Sequence, residues 1–274
     1  MKVTRIAGAL GAEVSGIDLS GDLPPSTVAE LRRLWLEHLV LFFHDQHLPP
    51  ARFLALAQHF GEPMDYPFLK GLEGFPQITT VAKFEHETIN FGGMWHSDTT
   101  YLPAPPSATM LIAREVPPFG GDTLFANQYL AYESLSSGMR RLLDGLHAIN
   151  SSAKADASKT REDRIRERGK SDAAEEYLAA HPAIRTHPET GRKSLYVNPA
   201  HTVRFDGMTE EESAPILEFL FEHQVRAEFT CRFSWRAGSL ALWDNRCALH
   251  NPVNDYHGHR RVMHRITLKG DVPR

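Results

Sequence analysis

The sequence predicts a mainly β fold with helices flanking the strands. Between residues 76 and 126, short apolar runs alternate with Pro and Gly turns, which is typical of an all-β sandwich or barrel. Strand-like runs return at 227–235, 239–243 and 261–269. The chain has 274 residues, of which 42% are apolar and 23% charged, so it can bury a core. No repeat or linker marks a boundary, and residues 1–274 are expected to form a single domain.

The N-terminal part of the chain predicts strands and two helices. Short strand-like pieces near 3–19 precede a capping box, Thr27–Glu30, which predicts the start of a helix. A buried strand, 39–43, follows. A second helix is predicted over about 50–60, because its apolar residues recur at i, i+3, i+4 and i+7 and Gly61 stands at its end.

Two further helices interrupt the strand-rich part. One is predicted near 128–146, and the other follows the capping box Thr209–Glu212, although Pro215 predicts a kink or a later start. The stretch 153–180 is highly charged and has few apolar residues. A solvated helix is its favoured interpretation, and a mobile cover over a site is the alternative.

Charge and cysteine content limit the classes of function. Thirty Lys and Arg residues against 34 Asp and Glu residues give a net charge of −4, with no long basic stripe, so no nucleic acid partner is predicted. The cysteines, Cys231 and Cys247, fit no metal or redox spacing, and a cytoplasmic location is expected. No apolar run approaches membrane-spanning length and no signal-peptide pattern is present, so no membrane partner is expected. A small molecule is the expected partner.

One pair among the 15 histidines and their neighbours suggests metal chemistry. His96 and Asp98 form the sequence's one His-x-Asp pattern, and on an extended chain their side chains project from the same face. His250 follows the predicted strand 239–243, where a β-sandwich could bring it beside them. Two histidines and one carboxylate leave three coordination positions open, which is typical of non-haem Fe(II) oxygenases. A structural zinc site would need four ligands, usually including thiolates.

The predicted strand at the C-terminal end carries two arginines on one face. Period-2 alternation puts Arg261 and Arg265 on the same side, about 13 Å apart, so each could bind a different anion. If this face points inward, a buried guanidinium needs an anionic partner. If it points outward, both arginines are solvated, and the sequence leaves both arrangements open.

A set of motifs in order along the chain resembles one known family. The motifs are Trp95-His96-x-Asp98, Gly120-Gly121-Asp122-Thr123, Trp243-Asp244-Asn245-Arg246, His250 and Arg260-Arg261-x-x-His264-Arg265. Together they resemble the TauD/TfdA family of Fe(II)- and 2-oxoglutarate-dependent dioxygenases, and the resemblance covers essentially the whole chain.

The resemblance implies a distorted double-stranded β-helix core, of the jelly-roll or cupin-like kind, with helices packed outside it. It also implies a catalytic Fe(II) held by three side chains and the use of 2-oxoglutarate and O₂ to hydroxylate an sp³ C–H bond of a small organic anion, giving succinate and CO₂. Thr123 and Arg261 match the residues that bind the distal carboxylate of 2-oxoglutarate. Arg265 matches the residue at the acidic group of the substrate. The implied metal ligands are His96, Asp98 and His250.

The resemblance is less specific about the substrate. The family's taurine enzymes have His, Tyr and Asn at three positions where this chain has Tyr66, Leu69 and Gly92, and an aromatic ring is typical where it has His201. Taurine is therefore disfavoured. The segment 67–75 looks like that of the aryloxyalkanoate dioxygenases, so a sulfonate, a sulfate ester and a carboxylate all stay open. Family members commonly form dimers or tetramers, which implies a homo-oligomer. A β-sandwich that binds metal without turnover is the alternative from another class, and zinc-dependent hydrolysis lacks an obvious general base.

Overall fold

A nine-stranded sheet, the major sheet, forms one wall of the molecule in the computed structural model, which describes residues 1–66, 69–154 and 176–274. The major sheet is antiparallel except where its second and third strands pair in parallel. Its strands are β1 (Lys2–Arg5), β2 (Ala12–Ser15), β3 (Val40–Phe43), β4 (Pro63–Met64), β5 (Gly71–Leu72), β6 (Phe75–Lys83), β7 (Ala108–Glu115), β15 (Leu240–Asp244) and β17 (Arg261–Leu268). The order across the sheet is β1-β2-β3-β15-β7-β17-β6-β5, and β4 pairs with β17.

A smaller antiparallel sheet faces the major sheet and closes the other wall. It contains β8 (Thr123–Asn127), β14 (Thr230–Phe233) and β16 (Ala248–Pro252), with β8 in the middle. The mainly β fold and the jelly-roll core that were predicted are thereby confirmed.

Two cores lie on opposite faces of the major sheet. In β3 the side chains of Leu41 and Phe43 pack into one core, and those of Val40 and Phe42 into the other. Since both faces are covered, the strand reads as a continuous apolar run and not as an alternating one. The space between the two sheets is the one that matters for function, because the inward face of β17 opens into it.

The two N-terminal helices cover the outer face of the major sheet. Helix α1 (Pro25–His38) buries Leu34 and Trp35, and helix α2 (Pro50–Gln58) buries Phe53 and Leu56. The predicted start of the first helix at Thr27 is wrong. Pro25 occupies the first helical position, where its fixed φ and missing N–H suit a helix start, so the helix begins two residues earlier without a side-chain cap.

The helices of the second half differ in part from the prediction. The single helix expected near 128–146 is two, α3 (Gln128–Glu133) and α4 (Ser137–Leu143), because the Ser136 side chain caps a new start. Helix α5 (Glu210–His223) has the predicted capping box at Thr209, and Pro215 neither delays its start nor ends it. Burial of apolar side chains further along the helix offsets the backbone hydrogen bond that this proline lacks.

Short strands and helices α3 to α5 enclose a third core at one end of the molecule. The strands are β9 (His147–Ser151), β10 (Leu178–Pro182), β11 (Ile184–Thr186), β12 (Lys193–Leu195) and β13 (Thr202–Phe205). Of the charged stretch 153–180, residues 155–175 lie outside the described residues, so the structure tests neither interpretation of it. Within the described ranges, no helix is long and apolar enough to cross a membrane.

Candidate metal and anion site

The three candidate metal ligands meet between the two sheets. His250 follows β15, as expected, and is the central residue of β16. His96 and Asp98 lie on a loop that touches β16 through a single antiparallel bridge between His96 and His250. Their backbones exchange two hydrogen bonds, with N···O distances of 3.0 and 2.8 Å. The main chain therefore fixes the two imidazoles side by side, and their ring centroids are 4.0 Å apart.

The ligand atoms of these three side chains converge on one point. One carboxylate oxygen of Asp98, Oδ1, lies 3.8 Å from Nε2 of His96 and 4.0 Å from Nε2 of His250. The Nδ1–H of His96 donates to the carbonyl oxygen of Met94 at 2.7 Å, which leaves Nε2 as the free lone pair. The three side chains form a group that could hold a metal ion.

The protonation states of the three groups suit metal binding. Burial lowers the pKa of His96, and it lowers the pKa of His250 further, so both imidazoles are neutral at neutral pH. Burial alone would raise the pKa of Asp98, but His250, Arg265, His96 and the Thr109 hydroxyl lower it to about 2. Two neutral imidazoles and one carboxylate match the donor set of a facial triad, so the residues fit a divalent iron.

A second group of possible metal ligands within the described ranges is already engaged. In the group of His187, Asp244 and Cys247, Nε2 of His187 lies 3.0 Å from a carboxylate oxygen of Asp244. The other nitrogen, Nδ1, accepts hydrogen bonds from the backbone N–H groups of Glu189 and Thr190. Arg246 holds both oxygens of Asp244. This group is a structural network and not a second metal site.

A cavity adjoins the three candidate ligands. Its accessible volume is about 40 Å³, and residues of both sheets line it. Its polar lining comes from both histidines, Thr123 and the two arginines of β17, and its apolar lining comes from Val81, Phe91, Leu111, Trp243 and Pro252. The inward orientation of the arginine face, which the sequence left open, is therefore the one in the structure.

Arg265 lies next to the candidate metal ligands. Its Nη1 is 3.7 Å from Oδ1 of Asp98, and its guanidinium carbon lies 4.0 Å from the centroid of the Tyr66 ring. Among the described residues, Nε and Nη2 of Arg265 have no hydrogen-bond partner. A buried guanidinium whose Nε and Nη2 donate no hydrogen bond within the protein can donate to a bound anion.

Arg261 and Thr123 lie together at another part of the cavity wall. The Arg261 guanidinium lies 5.6 Å from the ring centroid of Trp235, whose Nε1–H donates to the Thr123 hydroxyl oxygen at 2.9 Å. Nε and Nη2 of Arg261 also find no partner in the described part of the chain. Thr123 accepts from Trp235, so its own hydroxyl hydrogen can point toward a ligand. The two arginines thus provide separate places for two anions.

The other predicted substrate residues lie around the same histidines. His201 is buried, with its ring centroid 6.1 Å from that of His96 and 4.9 Å from that of Tyr101, and burial together with His96 lowers its pKa to about 3. Gly92 has a φ of 69°, and a Cβ there would lie 2.8 Å from Cε1 of His96. Gly92 therefore contributes close approach of the backbone and not a side-chain contact.

Sequence reasoning missed several residues of the site. Thr109 donates to Asp98, and Asn245 donates to Thr109. Lys83 is buried directly across the sheet from Arg261, and its Nζ donates to Oδ1 of Asn254 at 2.9 Å. Asn245 stands in a motif that the sequence singled out without a role. Thr109 and Lys83 carry no local signal, because their neighbours are set by strand pairing.

Comparisons with known proteins agree on one kind of enzyme. The family model "Taurine catabolism dioxygenase TauD, TfdA family" matches residues 2–267. The chain is 34% identical over 279 residues to an alkylsulfatase of Acinetobacter baylyi, covering 99% of this chain and 86% of the relative. It is 34% identical over 281 residues to an alpha-ketoglutarate-dependent sulfate ester dioxygenase of Pseudomonas putida, covering 100% of this chain and 91% of the relative. A solved structure of a taurine dioxygenase from Burkholderia xenovorans matches with a TM-score of 0.84 and 36% identity, covering 99% of this chain and 92% of that one.

Proposed function

The chain belongs to the TauD/TfdA family of 2-oxoglutarate-dependent dioxygenases, and on that premise we propose that it oxidises small alkyl sulfate esters. It is an oxidoreductase that uses 2-oxoglutarate and O₂ and acts on small organic anions. The observation that carries the enzyme class is the His-Asp-His cluster beside two buried arginines with unused N–H groups. The choice of a sulfate ester is supported by the similarity to an alkylsulfatase and a sulfate ester dioxygenase. A metal sensor would need no second anion position.

In this proposal, His96, Asp98 and His250 hold Fe(II). When bound, the iron and 2-oxoglutarate supply the oxidising power, since 2-oxoglutarate and O₂ become succinate and CO₂ while one substrate C–H becomes C–OH. The protein contributes a preformed ligand set and an adjoining cavity in which the substrate is positioned.

Arg261 and Thr123 are proposed to bind the distal carboxylate of 2-oxoglutarate. The unused N–H groups of Arg261 suit a two-oxygen contact, and the Thr123 hydroxyl adds a third donor. Trp235 supports both residues, since it donates to Thr123 and lies against the guanidinium of Arg261. This contact fixes which end of the dicarboxylate faces the metal.

Arg265 is proposed to bind the sulfate group of the substrate. Its guanidinium lies against Tyr66 and close to Asp98, so an anion held there keeps a neighbouring carbon beside the metal ligands. The apolar side chains of Val81, Phe91 and Leu111 would contact the alkyl chain. Gly92 and His201 are proposed to shape the pocket next to His96.

Hydroxylation of the carbon that bears the ester oxygen releases sulfate. The C–O bond to sulfate breaks and its electron pair leaves with the sulfate oxygen, while the new hydroxyl loses its proton and becomes the carbonyl of an aldehyde. No protein nucleophile is required for this second step. The residues need only hold the anion until the first step is complete.

A panel assay tests the substrate class. Succinate formation and O₂ uptake are measured with an alkyl sulfate, an alkylsulfonate, taurine and an aryloxyalkanoate. We expect the highest turnover with the alkyl sulfate, together with sulfate and aldehyde in equal amounts. Preferred release of a phenol would favour the aryloxyalkanoate alternative, which the segment 67–75 supports. No succinate with any compound would favour the alternative of a non-catalytic metal-binding protein.

A pair of matched substitutions distinguishes the roles of the two arginines. We expect Arg261→Gln to raise the KM for 2-oxoglutarate and Arg265→Gln to raise the KM for the sulfate ester, each by about 10- to 100-fold, because each loses a charge-assisted hydrogen bond of about 1.5–3 kcal/mol. Steady-state kinetics with each compound varied in turn measures both constants. The reverse pattern would exchange the two roles.

The proposal also covers the domain organisation, the oligomeric state and the cellular location of the protein. Residues 1–274 are proposed as one dioxygenase domain, and the protein as a homo-oligomer, which light scattering on the purified chain tests. A cytoplasmic location is proposed from the two buried free thiols, Cys231 and Cys247. Fractionation of the source cells tests the location.

A further inference from the structure

A chain of three buried hydrogen bonds leads from the major sheet to the carboxylate of Asp98. The indole Nε1–H of Trp243 donates to Oδ1 of Asn245 at 2.9 Å, and Nδ2 of Asn245 donates to the Thr109 hydroxyl oxygen at 2.9 Å. The Thr109 hydroxyl is 2.5 Å from Oδ2 of Asp98. All four side chains are almost fully buried.

The groups at the two ends of this hydrogen-bond series determine which atom donates and which accepts at each step. An indole N–H can only donate, so the side-chain oxygen of Asn245 accepts and its amide nitrogen must be the group that faces Thr109. Thr109 has a single hydroxyl hydrogen and already accepts from Asn245. Its hydrogen is therefore directed at the ionised carboxylate, and the short distance is typical of a charge-assisted O–H···O⁻ bond.

The two oxygens of Asp98 are consequently not equivalent. Oδ2 is engaged by Thr109, whereas Oδ1 is the atom that lies within 4.0 Å of His96, His250 and Arg265. We propose that Thr109 and Asn245 are positioning residues that hold the Asp98 carboxylate so that Oδ1 alone is presented to the divalent cation. The proposal rests on the metal site proposed above.

A merely structural role makes a different prediction. If the hydrogen bonds only satisfied buried polar groups, loss of the Thr109 hydroxyl would lower thermal stability and leave metal affinity unchanged in the folded protein. A positioning role instead predicts weaker metal binding at intact fold, because a carboxylate free to rotate must be ordered each time a cation binds. Loss of such supporting contacts typically weakens metal binding about 10- to 100-fold.

The test measures Co(II) binding by competition with a chromophoric chelator and by the visible absorption of bound Co(II). We expect Thr109→Val to raise the Kd for Co(II) by about 10- to 100-fold and to change the absorption spectrum, since valine keeps the shape but lacks the hydroxyl. Thr109→Ser should bind like the parent. Asn245→Ala should lie between them, and the double variant should be no weaker than Thr109→Val if Asn245 acts through Thr109.

Thr267 provides the matched control. It lies directly opposite Thr109 on β17, is equally buried and takes no part in the three hydrogen bonds, so Thr267→Val should bind Co(II) like the parent. Parent-like binding by Thr109→Val, or binding by Thr109→Ser as weak as by Thr109→Val, overturns the proposal. If Thr109→Val does not fold, parent-like binding by Asn245→Ala overturns the proposal, because Asn245 acts on Asp98 only through Thr109. Failure of the parent to bind Co(II) would instead overturn the metal site itself.

Discussion

Gly92 shows how one missing side chain can matter at a metal site. Its φ of 69° lies in the left-handed region, and the ring of His96 occupies the space where a side chain would project. A Cβ at this position would lie 2.8 Å from Cε1 and 3.2 Å from Nε2 of His96. Any other residue would therefore push against the edge of the ring that faces the metal position.

We expect Gly92→Ala to weaken Co(II) binding, because His96 must turn away from the new methyl group or the loop must shift. The absorption titration described above measures the loss. Gly74→Ala is the matched control, since Gly74 has a similar φ of 75° but open space around a would-be Cβ. Equal effects of the two substitutions would mean that backbone strain and not contact with His96 is responsible.

At the scale of single residues, the sequence predicted the three candidate metal ligands and missed the residue that hydrogen-bonds to Asp98. The spacing of His96 and Asp98 is local and could be read directly, and His250 could be added through the family resemblance. Thr109 contacts Asp98 only because β7 and the loop around residue 98 meet in the folded chain. No residue spacing in the sequence predicts this contact between Thr109 and Asp98.

The two faces of strand β17 lie in different environments. The inward face carries Arg261 and Arg265 into the cavity, as its period-2 pattern allowed. On the other face, Nε of Arg114 donates to Nδ1 of His264 at 3.1 Å. Burial and the charge of Arg114 lower the pKa of His264 from its ordinary 6.5 to about 4. This histidine is therefore neutral in the folded protein over most of the physiological range.

The lowered pKa of His264 predicts a loss of stability in mild acid. Between pH 6.5 and 4 the unfolded chain binds a proton at this position and the folded chain does not, so the free energy of unfolding falls as the pH falls, by at most about 1.4 kcal/mol per pH unit from this group. We expect His264→Gln to lose less stability over this interval than the parent. Urea unfolding at several pH values measures both slopes, and parallel slopes would contradict the prediction.

The turn that joins β15 of the major sheet to β16 of the smaller sheet is anchored by a buried ionic network. Arg246 holds both oxygens of Asp244 and also donates to Glu189, which in turn pairs with Arg32 of helix α1. Burial alone would lower the pKa of Arg246, but Asp244 and Glu189 raise it, and the arginine stays charged. The network thus joins the turn that leads into His250's strand to a helix on the outer face of the major sheet.

We expect Arg246→Met to destabilise the protein by about 3–5 kcal/mol, because it leaves the Asp244 carboxylate buried without its main partner. Denaturant unfolding measures the change. Arg33→Met is the control, since Arg33 also makes two ion pairs but on the exposed side of helix α1, and it should have little effect. A small effect of Arg246→Met would mean that the network does not anchor the turn between β15 and β16.

At the scale of the whole molecule, composition and turn spacing predicted the β-rich class, and the family resemblance supplied the jelly-roll arrangement. The errors are at element boundaries. Pro25 and Ser136 decided the helix starts, and a short 3-10 helix, Ala227–Phe229, occupies the beginning of the predicted strand 227–235. The separation of Arg261 from Arg265 followed from strand geometry. Their inward direction did not, because it depends on the second sheet that covers this face of β17.

The fold also predicts that the metal-free protein keeps its structure. The backbone bridge between His96 and His250 and the hydrogen bond from Thr109 to Asp98 are formed by the protein's own atoms. We expect chelation to leave the far-ultraviolet circular dichroism unchanged, and added Co(II) to raise the Tm in a concentration-dependent way. Unfolding on chelation would contradict the prediction.

The backbone bridge between residues 96 and 250 has a further consequence for protein engineering. Its hydrogen bonds belong to main-chain atoms, so either imidazole can be exchanged for another donor without disturbing how the two segments align. The two backbone segments stay aligned whichever side chains they carry at these positions. A chemist could therefore install a carboxylate, a thiolate or a small apolar group at either position and study a new coordination chemistry within an unchanged scaffold.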